Sequence, residues 1–146
     1  IGHLQSNKVK YIAPFVSLIH GIDSIKLLGE VNKRAKQNNR TIDCLLQVHI
    51  ATESSKFGFS TDEIHHALIE SSEYENINII GLMGMASFTN NEKQIEKEFI
   101  SLKSVFDKNK DILSVLSMGM SGDYNIAINC GSNMIRIGST IFGSRN

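Results

Sequence analysis

Apolar residues along the chain gather in short blocks separated by longer amphipathic stretches. The blocks cover residues 16–20, 44–50, 77–85, 112–118 and 134–137. None shows the strict polar alternation of a half-exposed strand, which predicts strands buried on both faces of a parallel sheet. Helical spacing fills the intervals. Residues 24–38 place Ile25, Leu28, Val31 and Ala35 on one stripe, with Lys26, Glu30, Lys33 and Arg34 largely outside it. Ser60 and Glu63 have the spacing of a capping box, in which each side chain serves the other's amide, and Thr89 and Glu92 repeat it. The helix expected after Thr89 puts Ile95, Phe99, Leu102 and Phe106 on one face. Glu92, Lys93, Glu96, Lys97 and Lys103 form a solvated outer face.

Strand, helix, strand, helix is the order of βαβ units around a parallel sheet. The blocks give five full strands, and Ile1-Gly2 reads as the stub of a sixth. A closed (β/α)₈ barrel takes about 250 residues, roughly 30 per unit. The 146 residues here therefore predict either a small open sheet or the greater part of a barrel without its first strands. Pro14 is the only proline and no Gly/Ser linker interrupts the chain, so residues 1–146 are expected to be a single domain. The opening Ile1-Gly2-His3 has neither an initiator Met nor a signal peptide, and it reads as a chain that begins mid-motif.

Charge removes some classes of function. The 15 basic and 15 acidic side chains cancel, which takes away the electrostatic case for a nucleic-acid binder. No apolar run approaches the ~18–20 residues of a membrane span. Cys44 and Cys130 stand far apart without CxxC spacing, so neither a disulfide framework nor a zinc knuckle is expected, and a reducing cytoplasm is the predicted compartment.

Candidate chemistry lies near the end of the chain. From Ser117 onward only Asp123, Arg136 and Arg145 are charged, and glycine recurs at 119, 122, 131, 138 and 143. The run from Ser117 to Asp123 follows a strand and precedes a short helix. Amides in such a turn either close a plain β-turn or point inward as an anion nest, to which a helix N-terminus adds about half a positive charge. Arg136-Ile137-Gly138-Ser139-Thr140 repeats the arrangement at the next strand end. Paired on consecutive strands, the two loops favour phosphate, because the loops after the last two strands of a barrel are the common phosphate site. Arg136 sits inside an apolar strand and must meet an acceptor: a carboxylate on a neighbouring strand, or a ligand beside the phosphate.

The run 117–145 (SMGMSGDYNIAINCGSNMIRIGSTIFGSR), with IGHLQSNKVK at the start and SSKFGF in the middle, resembles the pyridoxal phosphate homeostasis proteins of the YggS/PROSC type. Those are in turn similar to the barrel domain of fold-type III alanine racemases. The resemblance implies an α/β fold, a (β/α)₈ TIM barrel of the alanine racemase N-terminal domain type, here incomplete and covering about strands 3–8. It implies pyridoxal 5′-phosphate (PLP) as cofactor, a monomer, and a role in PLP homeostasis without established turnover. Ser121, Gly138 and Ser139 match the phosphate-binding positions, and Arg136 matches an arginine facing the pyridine nitrogen. Such an arginine keeps that nitrogen unprotonated and makes the ring a poor electron sink. Ser139 replaces a frequent Thr and keeps the hydroxyl. Asn7, His3 and Lys56 fall in matching segments expected to look toward the cofactor. The Schiff-base lysine of the family lies upstream of IGHLQSNK, and no lysine of this chain matches it, so no catalytic residue is assigned. Lys56 is either a loop lysine reaching water or one that faces the site.

Other residues carry weaker readings. Met83, Met85, Met118 and Met120 gather near strand ends and suit soft packing around a ring or an ordinary core. His49 is expected to be a hydrogen-bonded core histidine. His65 and His66 diverge by about 100° on a helix and do not make a metal pair. An amino-acid racemase remains the alternative; it requires an acid/base on each face of the α-carbon, and Tyr124 is the only tyrosine near the motifs. A phosphosugar enzyme would require charged groups at several strand ends, where only Glu53 and Lys56 qualify.

Overall fold

In a computed structural model that describes residues 1–53 and 57–143, five parallel strands lie side by side in chain order. They are β1 (Leu18–Ile22), β2 (Ile42–Val48), β3 (Ile77–Gly84), β4 (Val115–Met120) and β5 (Met134–Arg136). A doubly wound sheet reverses its strand order at a switch point. This sheet never does, so the chain forms a parallel half-barrel of the (β/α) type.

A short 3₁₀ turn (Ser6–Lys8) and α1 (Val9–Ile12) precede β1. Between the strands run α2 (Ile25–Gln37), α3 (Ile64–Ser71), α4 (Glu92–Asp107) and α5 (Tyr124–Asn129), and α6 (Ser139–Phe142) follows β5. The Ser24 hydroxyl caps α2 by accepting from the Leu27 amide, as its non-helical backbone allows. The helix buries Leu27, Leu28, Val31 and Ala35 against the sheet, while Ile25 is only partly covered. On α4 the buried residues are Ile95, Phe99 and Leu102 together with Glu98, a carboxylate that the solvated-face reading passes over. Each large aliphatic side chain so covered stabilises the fold by about 1.5–3 kcal/mol before its entropy cost.

Several boundaries differ from the sequence expectation. Val16 belongs to the turn after α1, where its amide donates to Ile12, so β1 starts two residues later. Leu113 donates to Asn109 in a turn, Ile112 is exposed, and β4 begins only at Val115. The α4 cap is Asn91, whose side chain accepts from the Gln94 amide; Thr89 instead accepts from the Asn91 amide one turn earlier. At Ser60 the expected reach-back occurs, with the Glu63 carboxylate accepting from the Ser60 amide at 2.7 Å, but α3 itself starts at Ile64. Ile1-Gly2 forms no strand: among the described residues the sheet has five strands, without a sixth stub. The Gly2 carbonyl instead packs against the backbone of Gly21, so close that a Cβ there would lie 2.6 Å from it.

Two glycines let strands approach their neighbours. A Cβ on Gly81 would collide with the Val115 carbonyl of β4. Gly119, at φ +95°, allows α5 to close on β4, since a Cβ would sit 2.7 Å from that of Ala127. Among the described residues, no helix is long and apolar enough to cross a membrane.

Candidate functional site

The carboxyl ends of β3, β4 and β5 surround an open cleft of about 720 Å³. Strand ends in α/β folds collect ligands because their loops expose backbone amides over a rigid floor. Met83, Met85 and Met120 contribute apolar lining, and Ser121, Arg136, Gly138 and Ser139 contribute hydroxyls, backbone and the guanidinium.

The loop after β4 folds back through Asp123, whose carboxylate accepts from the Met120 amide at 2.7 Å while its own amide donates to the Met120 carbonyl. This turn delivers the Ser121 hydroxyl to the next loop, where it accepts from the amides of Gly138 and Thr140, both at 3.2 Å. The two loops singled out in the sequence therefore converge on one hydroxyl. Gly122 and Gly138 have open space where a side chain would project, which leaves room for a group the size of a phosphate beside those amides.

Arg136 is 9% exposed at the end of β5. Its Nη1 donates to the Ser117 hydroxyl at 2.7 Å and its Nη2 to the Gly84 carbonyl at 3.1 Å. Among the described residues it makes no ion pair with a carboxylate, so the neighbouring-strand salt bridge is not formed. Burial pulls its guanidinium down to about 10, and the charge of Asp123 acts in the opposite sense. It stays protonated at neutral pH. A guanidinium has five N–H donors; two are committed, and the group borders the cleft.

Ser117 also meets His20 of β1, Oγ to Nδ1 at 3.3 Å. Burial, and then the charge of Arg136, push this imidazole from its ordinary 6.5 down to about 4. Sequence reading passed over His20 because nothing in the chain ties it to residues 97 positions away.

Glu98 was missed for a similar reason. It is buried, and its carboxylate accepts from the Ser87 amide at 2.6 Å, the Ser87 hydroxyl at 2.7 Å and Gln94 Nε2 at 3.1 Å. Ser87 borders the cleft and also accepts from the Thr52 amide. One carboxylate on α4 thus ties together the loops that follow β2 and β3.

The remaining expected residues scatter. Met118, within β4, is fully buried in the core, and Met120, two residues on, lines the cleft. Asn7 is exposed in the 3₁₀ turn and is not among the residues that border the cleft. Lys56 lies outside the described residues. His3 pairs with Asp23 at 3.2 Å and stacks on Phe57. His49 Nε2 meets the Ala51 carbonyl at 2.8 Å. His66 pairs with Glu70, and no cluster of three metal-ligating residues occurs among the described residues. Burial raises the Cys44 thiol to about 12, far from a reactive thiolate.

The donor set suits PLP. The Gly138 and Thr140 amides gather on the Ser121 hydroxyl, the Arg136 guanidinium borders the same cleft, and methionines line it, a donor set that a phosphate ester and an apolar ring could use. No lysine borders the cleft among the described residues.

Known proteins give this arrangement a lineage. Residues 1–146 match the family described as alanine racemase, N-terminal domain. A Helicobacter pylori protein named pyridoxal phosphate homeostasis protein is 42% identical over 144 residues, which is 97% of this chain and 64% of that protein. The chain thus spans less than two thirds of that relative's length. Two solved structures of PipY from Synechococcus elongatus superpose on it. The form without PLP gives a TM-score of 0.91 at 28% identity, covering 98% of this chain and 69% of PipY. The form with PLP bound gives 0.83 at 26% identity, covering 98% and 68%.

Proposed function

The chain belongs to the alanine racemase N-terminal domain family, and from that premise we propose that it holds most of the cofactor cleft of a PLP-binding protein acting in PLP homeostasis. The observation that carries this reading is the convergence of the Gly138 and Thr140 amides on the Ser121 hydroxyl, beside Arg136. Ser121, Gly138 and Ser139 hold the phosphate, and Arg136 faces the pyridine nitrogen. Support comes from the relative's name in Helicobacter pylori and from PipY, whose structure with PLP bound has the same fold. The five strands fall within strands 3–8 of an eight-stranded barrel.

PLP supplies an aldehyde and an electron-accepting ring. This chain's residues govern how far that ring is used. A protonated Arg136 presents only donors, so it leaves the pyridine nitrogen a lone-pair acceptor and keeps the ring from gathering charge. The methionines pack the ring face, and Ser121 with its amides fixes the phosphate end. That combination stores and carries the cofactor and supplies little catalytic power, so the protein acts without turnover. The lysine that binds the aldehyde lies outside the residues of this chain. The protein works as a monomer in the reducing cytoplasm.

Titration of the complete protein with PLP tests the reading. Binding should be saturable with one equivalent, shown by a change in the visible absorbance of PLP, and pyridoxal without its phosphate should bind at least tenfold more weakly, since the charge-assisted contacts to the phosphate are absent. Equal affinity for the two compounds, or no binding, would overturn it.

A further inference from the structure

We propose that Ser117 and His20 are positioning residues that set the orientation of the Arg136 guanidinium toward the cofactor, a role that rests on the cofactor reading above. The argument follows from which atoms can donate. An arginine only donates, so at 2.7 Å the Ser117 oxygen must accept from Arg136 Nη1. A serine hydroxyl has one proton of its own, and among the described residues the polar side-chain atom that remains within reach is His20 Nδ1 at 3.3 Å. That nitrogen is therefore the acceptor, and the imidazole proton sits on Nε2. The chain runs in one direction, from guanidinium to hydroxyl to imidazole.

Its geometry restrains rotation. Arg136 reaches from β5 to Ser117 on β4 and to the Gly84 carbonyl at the end of β3. Two donors fixed by two different strands define the guanidinium plane, and three N–H donors remain on a residue that borders the cleft. His20 extends the line to β1, so four of the five strands hold one planar group. A protonated imidazole would reverse the second bond: both neighbours would then donate to one oxygen, and the Ser117 proton would lose its acceptor. Burial beside Arg136 favours the neutral ring. Partners behind a contacting group commonly fix its orientation in this way at metal sites.

The test uses the complete protein with ¹⁵N-labelled histidine. Long-range ¹⁵N–¹H correlation of the ligand-free protein at neutral pH should show His20 as the neutral Nε2–H form, and Ser117→Ala should abolish that preference. His20→Asn keeps an acceptor, Oδ1, near the place of Nδ1; it should hold PLP affinity within about twofold and leave the visible absorption of the bound cofactor in place. His20→Leu should lose about tenfold in PLP affinity, the worth of one hydrogen bond, and should shift that absorption, with near-UV circular dichroism checking that it folds. An Nδ1–H or charged His20 in the native protein would overturn the relay, whatever the variants do. A folded His20→Leu with unchanged affinity and spectrum would overturn the positioning role. A native protein with the expected tautomer that takes up no PLP would overturn the cofactor reading and this role with it, while the hydrogen-bond direction stands.

Discussion

The hydroxyl of Ser121 lies 3.2 Å from the amide of Gly138, joining the loops that leave two successive strands. Removing it in Ser121→Ala should lower PLP affinity about tenfold, the effect of one contact to a charged group. Pyridoxal, which has no phosphate, should bind the variant and the native protein alike. Fluorescence titration with both compounds separates a phosphate contact from a general loosening of the loops. Equal losses for both would remove Ser121 from the phosphate site.

Stability should depend on pH through His20. Its folded value of about 4 lies below the ordinary 6.5, so between those values the unfolded chain binds more protons. The contribution is complete above pH 6.5 and is lost progressively as pH falls toward 4. The loss is on the order of 1–3 kcal/mol. Urea midpoints at pH 7, 5.5 and 4.5 should fall in that order, and the slope should flatten in His20→Asn. An equally steep slope in the variant would assign the effect to other groups.

Glu98 offers a stability test on α4. Glu98→Ala strands the Ser87 amide and hydroxyl in a buried setting and should cost about 2–4 kcal/mol by urea denaturation. Glu98→Gln keeps the shape but turns an amide donor toward groups that also donate, and should cost about 1–2 kcal/mol. Hydrogen exchange at Thr52 and Ser87 should quicken in both variants, because each loop loses its anchor on the helix.

Gly81→Ala sets a methyl group against the Val115 carbonyl in the middle of the sheet. Backbone cannot yield as a flexible side chain can, so a cost of about 3 kcal/mol or more is expected. Loss of soluble folded protein, or a sharp drop in thermal midpoint, would show it. Gly122→Ala, with open space at that position, should be close to neutral for folding.

The parallel sheet was legible because burial on both faces leaves continuous apolar blocks, and blocks such as 77–85 survive almost unchanged as β3. Edges were less legible: Val16 and Ile112 are as apolar as strand residues, yet hydrogen bonds in the preceding turns take them. At α4, Thr89 and Asn91 are both good caps, and spacing alone preferred the wrong one. The loops at Ser121 and Gly138 were legible because small residues recur where a chain must expose amides. Met118 does not border the cleft although Met120 does. Two residues apart on a regular strand they would share a face, but the register shifts between Ser117 and Met120 and Gly119 turns at φ +95°, so Met118 stays in the core and Met120 reaches the cleft. Glu98 and His20 were invisible because each looks ordinary within its own element; only contact across the fold reveals a buried carboxylate and a neutral imidazole.

The order of the strands also sets the loop-closure cost of each contact. Each strand pairs with its neighbour along the chain, so the sheet can grow by closing one modest loop after another, which is entropically cheap. The contact between Ser117 and His20 closes 97 residues at once and brings the first strand to the fourth. By the same reasoning, the contact that positions the Arg136 guanidinium carries a larger loop-closure cost than any single strand pairing.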